Sequence, residues 1–130
     1  MISEERPYLL DTNVAIWLDR SAKRIPAHIL DVLENPLSRL FLSTVSFWEL
    51  AIKQNLGKIE NGIKLERVVS TYRMQELVIS SKYSEMVRSL PLLHNDPFDR
   101  MLIAQTIVEG MVLVTADRRL AGYPVAVLRV

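Results

Sequence analysis

The chain has 130 residues, 49% hydrophobic and 24% charged, with a formal net charge of +1. This length supports one domain with its own core, and the composition excludes a disordered polyelectrolyte. Near-neutrality neither demands nor forbids a nucleic-acid partner, because a basic patch can sit on a balanced protein.

There is no cysteine, so disulfides, thiolate nucleophiles and thiolate-ligated zinc are absent. The opening "MISEERPYLL" lacks a basic stretch leading into an apolar core and does not read as a signal peptide. The most apolar run, "MLIAQTIVEGMVLVTA", is broken by Gln105, Glu109 and Gly110, so no membrane span is expected. A reducing, cytoplasmic setting is the expectation.

In chain order, the apolar runs "YLLD" (8–11), "LFLS" (40–43), "LVIS" (77–80), "VLVT" (112–115) and "VAVLR" (125–129) predict buried strands. Helical patterns lie between them at 13–20, 26–34, 45–56, 64–73, 82–89 and 98–109, with a short turn at 117–121. Gly57 and Gly110 stand at expected helix stops, and Pro26, Pro36, Pro91, Pro97 and Pro124 at element boundaries. Strands alternating with helices predict a single α/β domain over 1–130, its mostly parallel sheet covered on both faces.

The chain has only six aspartates, and they are unevenly placed. Asp11 closes the first strand and Asp117 follows the fourth. Both therefore fall beyond strand carboxyl ends, where open α/β sheets bind ligands. Helix capping is the plainer explanation for each, since Asp at a strand-to-helix junction is a common N-cap. In "STVSFWELAIKQNLGK", Ser46 and Glu49 have capping-box spacing. Yet Val45, Ile52 and Leu56 share Glu49's helical face, and a carboxylate inside an apolar stripe needs a partner or a cation. In "HNDPFDRMLIAQ", Asp96 is placed to cap a helix that starts at Pro97. Asp99 heads the stripe Leu102, Ile103, Thr106; local residues leave it either a first-turn acid or a ligand.

Four inward or rim-facing carboxylates, Asp11, Glu49, Asp99 and Asp117, would repel one another unless a cation were bound. An all-oxygen donor set suits Mg²⁺ or Mn²⁺ rather than zinc. One such ion, or two, would suit phosphodiester hydrolysis.

The stretches "LLDTNVAIWL", "STVSFWELAIKQNLGK", "HNDPFDRMLIAQ" and "LVTADRRL", in this order and covering nearly the whole chain, resemble the PIN-domain ribonucleases. The similarity is greatest to the VapC-type toxins of bacterial toxin–antitoxin modules. The resemblance implies a PIN-like fold with a sandwiched, five-stranded parallel sheet and Mg²⁺- or Mn²⁺-dependent endonucleolytic cleavage of RNA. It maps the catalytic, metal-holding acids onto Asp11, Glu49, Asp99 and Asp117. It gives Thr115 the task of orienting that cluster and Asn13 a hydrogen bond in the site or a capping role. It also implies an antitoxin partner and a homodimer. Where some members carry a further acid after Asp117, this chain has Arg118 and Arg119, which leaves one ion or two open.

Other residues fit ordinary tasks. His94, the only histidine near the motifs, suits a loop hydrogen bond better than general-base duty. Trp17, Phe47 and Trp48 suit core or dimer contacts. Lys53, Arg100 and Arg118 are the candidate phosphate contacts to an RNA such as tRNA or another structured RNA, with Lys58 and Arg119 beside them. Two further readings are an aspartyl-phosphate-type phosphatase and a non-catalytic PIN-like module that binds RNA or protein. The first is disfavoured because Thr12 and Asn13, rather than an acid, follow Asp11.

Overall fold

The computed structural model of the protein describes residues 6–130. Part of the signal-peptide reading concerns positions 1–5, which lie outside the described residues. Five strands form one sheet: β1 (Tyr8–Leu10), β2 (Leu40–Ser43), β3 (Gln75–Leu77), β4 (Val112–Thr115) and β5 (Ala126–Arg129). Their order is β3-β2-β1-β4-β5 and every pair is parallel.

Six helices connect them: α1 (Thr12–Arg20), α2 (Ala27–Glu34), α3 (Thr44–Asn55), α4 (Leu65–Thr71), α5 (Ser81–Arg88) and α6 (Pro97–Glu109). Short 3₁₀ turns occupy Ala22–Arg24 and Arg118–Gly122. No helix among the described residues is long and apolar enough to cross a membrane.

Side-chain alternation along the strands splits the core in two. Leu10 and Val114 point into a cluster with Val14 and Ala15 of α1, Ile29 of α2 and Leu65 of α4. Their neighbours Leu9 and Leu113 point the other way, onto Tyr83 of α5 and Leu102 and Ile103 of α6. The sheet is thus sandwiched, as expected. Helix α3 contributes Leu50 to one cluster and Val45 to the other, so it sits across the rim between the two layers.

The anticipated elements all form, most within two residues of their expected bounds. The third strand is the exception, running over Gln75–Leu77 rather than 77–80. It is an edge strand whose only partner among the described residues is β2, and pairing ends at Ser43↔Leu77. Beyond that point β2 has become α3, so Val78 and Ile79 have no strand to pair with. Val78 is left 65% exposed, and the Ile79 amide donates instead to Thr44 Oγ1 at 3.3 Å.

Sheet order positions the site. From β1 the chain moves outward through β2 and β3, then returns to place β4 on the other side of β1. The crevice beyond the carboxyl ends of β1 and β4 is therefore the topological switch point. Helix α6 leads into β4 and runs opposite to it, which brings its N-terminus to the same rim.

Candidate active site

Asp11 leaves β1 and caps α1, its Oδ1 accepting from the Asn13 amide at 3.2 Å. Its Oδ2 accepts from Thr115 Oγ1 at 2.5 Å, and that hydroxyl in turn accepts from the Asp117 amide at 3.0 Å. One buried threonine thereby ties the exits of β1 and β4 together. Asp11 is only 4% exposed. Burial pushes its carboxyl above the usual range, with the charges of Glu49 and Asp117 adding to the rise, while the bonds from Thr115 and Asn13 oppose it.

Helix α3 begins one turn earlier than the capping-box spacing implies. Ser43 is the N-cap, its hydroxyl accepting from the Val45 amide at 3.1 Å. Ser46 is fully buried and bonds Thr12 Oγ1 at 2.8 Å, pinning α3 to α1. Glu49 faces inward, 5% exposed. Its Oε2 accepts from Lys53 Nζ at 2.7 Å, whereas Oε1 is buried with no hydrogen-bond partner among the described residues. Leu56, expected on the same inward stripe, ends the helix and is exposed.

At the head of α6, Asp96 Oδ1 accepts from the amides of Phe98 and Asp99, with Pro97 the first helical residue, as expected. Asp99 turns inward. Burial pushes its carboxyl up to about 7, reinforced by the charges of Asp11, Asp96 and Glu49 and opposed by His94. Asp117 caps the 3₁₀ turn through the Arg119 amide and is gripped by the Arg119 guanidinium, 2.7 Å from Oδ2. That pairing holds its carboxyl below the usual range.

Asp11 feels the charges of Glu49 and Asp117, and Asp99 those of Asp11 and Glu49, so the four expected acids are linked through Asp11. Two carry counterions from the chain itself, Lys53 on Glu49 and Arg119 on Asp117. Among the described residues Asp11 and Asp99 pair with no Lys or Arg; beside them are hydrogen-bond donors and other carboxylates. A hard divalent cation fits this donor set: it would engage the orphaned Glu49 oxygen and offset the crowding that pushes Asp11 and Asp99 up. Asn13 is exposed and lines a cleft with Asp11, Trp17, Ala116, Asp117 and Arg119.

The structure alters the reading of Arg100 and His94 and narrows that of Trp48. Arg100 is buried rather than presented to phosphate; its guanidinium reaches the carbonyls of Pro91 and Val87 at 2.9 and 3.3 Å and the Tyr123 hydroxyl at 3.3 Å. It is a brace for the loop preceding α6. Trp48, expected in core or dimer contacts, is 59% exposed and so outside the core, and packs edge-on against Phe98 with ring centroids 5.3 Å apart. His94, expected in an ordinary loop bond, enters the acidic cluster itself, with Nε2 2.9 Å from Asp99 Oδ2 and 4.0 Å from Asp117 Oδ2. The sequence signal for it was position alone, a lone histidine two residues before a helix cap. Arg118 is exposed, as a substrate contact requires.

Comparison with known proteins bears on the family and the fold. The PIN domain family model matches residues 8–125. Ribonuclease VapC22 of Mycobacterium tuberculosis is 29% identical over 122 residues, covering 88% of this chain and 90% of that protein. The crystal structure of VapBC2 from Rickettsia felis bound to a promoter DNA fragment superposes with a TM-score of 0.72 at 17% identity, covering 94% of this chain and 97% of that one. The DNA-bound VapBC structure from Salmonella typhimurium gives 0.69 at 19% identity, covering 95% and 98%. With one family model spanning both the sheet and the acidic rim, the chain belongs to the PIN-domain family.

Proposed function

We propose that the protein is a Mg²⁺- or Mn²⁺-dependent endoribonuclease, the toxin of a type II toxin–antitoxin pair. The observation that carries the reading is a buried Glu49 oxygen that no donor among the described residues satisfies, beside an Asp99 carboxyl pushed up by burial and by the charges of Asp11 and Glu49. Similarity to Ribonuclease VapC22 supports RNA as the substrate, and likeness to VapBC complexes supports an antitoxin partner.

On this reading Asp11, Glu49, Asp99 and Asp117 hold one or two divalent cations. When bound, the cation supplies a water activated for attack and neutralises charge on the scissile phosphate. The chain's own residues position and exclude. Thr115 and the Asn13 amide fix the two Asp11 oxygens in place. Lys53 and Arg118 are the proposed contacts to the RNA backbone, which position a strand without reading its sequence. Asn13 offers its amide in the cleft. The exposed apolar side chains Trp48, Val78 and Ile79 support a contact surface for a second copy in a homodimer.

The test is cleavage of a panel of structured RNAs, tRNAs included, by purified antitoxin-free protein with Mg²⁺, with Mn²⁺ and with EDTA. Cleavage should need the cation and fall at least about a hundredfold in Asp11→Asn and Asp99→Asn, the scale on which preorganised charge acts. Cleavage that survives either substitution would sink the site assignment. Failure to cut any RNA while still binding it would favour a non-catalytic PIN module.

A further inference from the structure

The His94 side chain is only 7% exposed, and both of its ring nitrogens are engaged. Nδ1 lies 3.4 Å from the backbone nitrogen of Asp96. That amide can only donate, so Nδ1 must present its lone pair. A neutral imidazole then carries its hydrogen on Nε2, which donates to Asp99 Oδ2 at 2.9 Å. The orientation is held from behind. The His94 carbonyl accepts from buried Arg100 and from the Tyr123 hydroxyl, each at 3.4 Å. Asp96, on the other side, is fixed as the α6 cap.

The ligand atoms of His94, Asp99 and Asp117 lie within 4.8 Å of one another, a spacing that would suit a metal held by one nitrogen and two oxygens. The proton inventory argues against that trio. Ligation through Nε2 would move the ring hydrogen to Nδ1 and set it against the Asp96 N–H, donor facing donor.

We infer that His94 is a positioning residue: its Nε2–H grips Asp99 Oδ2 and leaves Asp99 Oδ1 for a divalent cation, and the imidazole is not itself a ligand. Asp99 Oδ1 accepts no hydrogen bond within the described residues, which agrees with that division of labour. The inference deepens the proposed metal-dependent reading and rests on it. Outer hydrogen-bond donors of this kind orient ligands and set metal affinity.

The experiment measures Mn²⁺ binding to antitoxin-free protein, without RNA, by the loss of the free-ion electron paramagnetic resonance signal. Wild type is compared with His94→Ala and with His94→Gln, whose side-chain amide can replace the Nε2 donor. His94→Ala should bind Mn²⁺ roughly tenfold more weakly, and His94→Gln should recover most of that loss. Spin-echo modulation on the Mn²⁺-loaded wild type should show no directly coordinated imidazole nitrogen. A coordinated nitrogen would overturn the inference, even if His94→Ala fails to fold. Equal Mn²⁺ affinity in wild type and a folded His94→Ala would also overturn it while leaving the metal site standing. A wild type that binds no Mn²⁺ would remove the metal-dependent reading itself, and this inference with it.

Discussion

Thr115 does more for the rim than its size suggests, because one hydroxyl serves two elements. It donates to a buried carboxylate oxygen of Asp11 and accepts from the backbone amide of Asp117. Thr115→Val keeps the shape and removes both bonds. Leaving a buried acceptor and an amide without partners costs about 1–3 kcal/mol, which urea unfolding would read as a lower midpoint at unchanged slope. Thr115→Ser should retain most of the stability, since it keeps the hydroxyl. A Thr115→Val protein as stable as wild type would mean that Asp11 does not depend on this bond.

At the scale of the element, α6 separates a cap from an inward-facing acid three residues apart. Asp96 satisfies two first-turn amides, so Asp96→Ala should destabilise the protein by about 1 kcal/mol, measured by equilibrium unfolding. An unchanged stability would show that solvent replaces the cap without loss. The cap was legible in "HNDPFDRMLIAQ" because capping chemistry is local, Asp followed by Pro, whereas the local residues left Asp99 open between a first-turn acid and a ligand. The strand-and-helix alternation was legible for the same reason. What escaped depended on partners distant in sequence. The third strand stops where β2 stops, a limit no property of "LVIS" records. Ser46 has capping-box spacing, but Thr12, 34 residues away, claims its hydroxyl and Ser43 takes the cap. Arg100 looked like a phosphate contact until Tyr123 and the carbonyls around it closed over the guanidinium.

For the whole molecule, the acidic rim and the rest of the fold place opposite demands on pH, in separate windows. Asp117 and Glu109 are held below their usual range by hydrogen bonds from Arg119 and from Tyr83 and Lys82, so their stabilisation is present above pH 4–5 and lost as pH falls further. Asp99, pushed up to about 7, and Asp11, also raised, act in the other direction. Each binds its proton more tightly folded than unfolded. Their contribution is therefore full below the unfolded value near 3.8 and disappears as pH rises through the folded value. In EDTA the protein should be most stable near pH 5 and lose about 1–3 kcal/mol by pH 8, read as a melting temperature lower by several degrees. Mg²⁺ or Mn²⁺ competes with those protons, so it should stabilise strongly at pH 8 and weakly at pH 5. Asp99→Asn removes the group with the largest rise, and it should flatten the EDTA profile while abolishing most of the cation's effect. A melting temperature in EDTA that climbs steadily from pH 5 to pH 8 would mean the carboxylates are not crowded. The rim would then be a set of helix caps with no call for a cation.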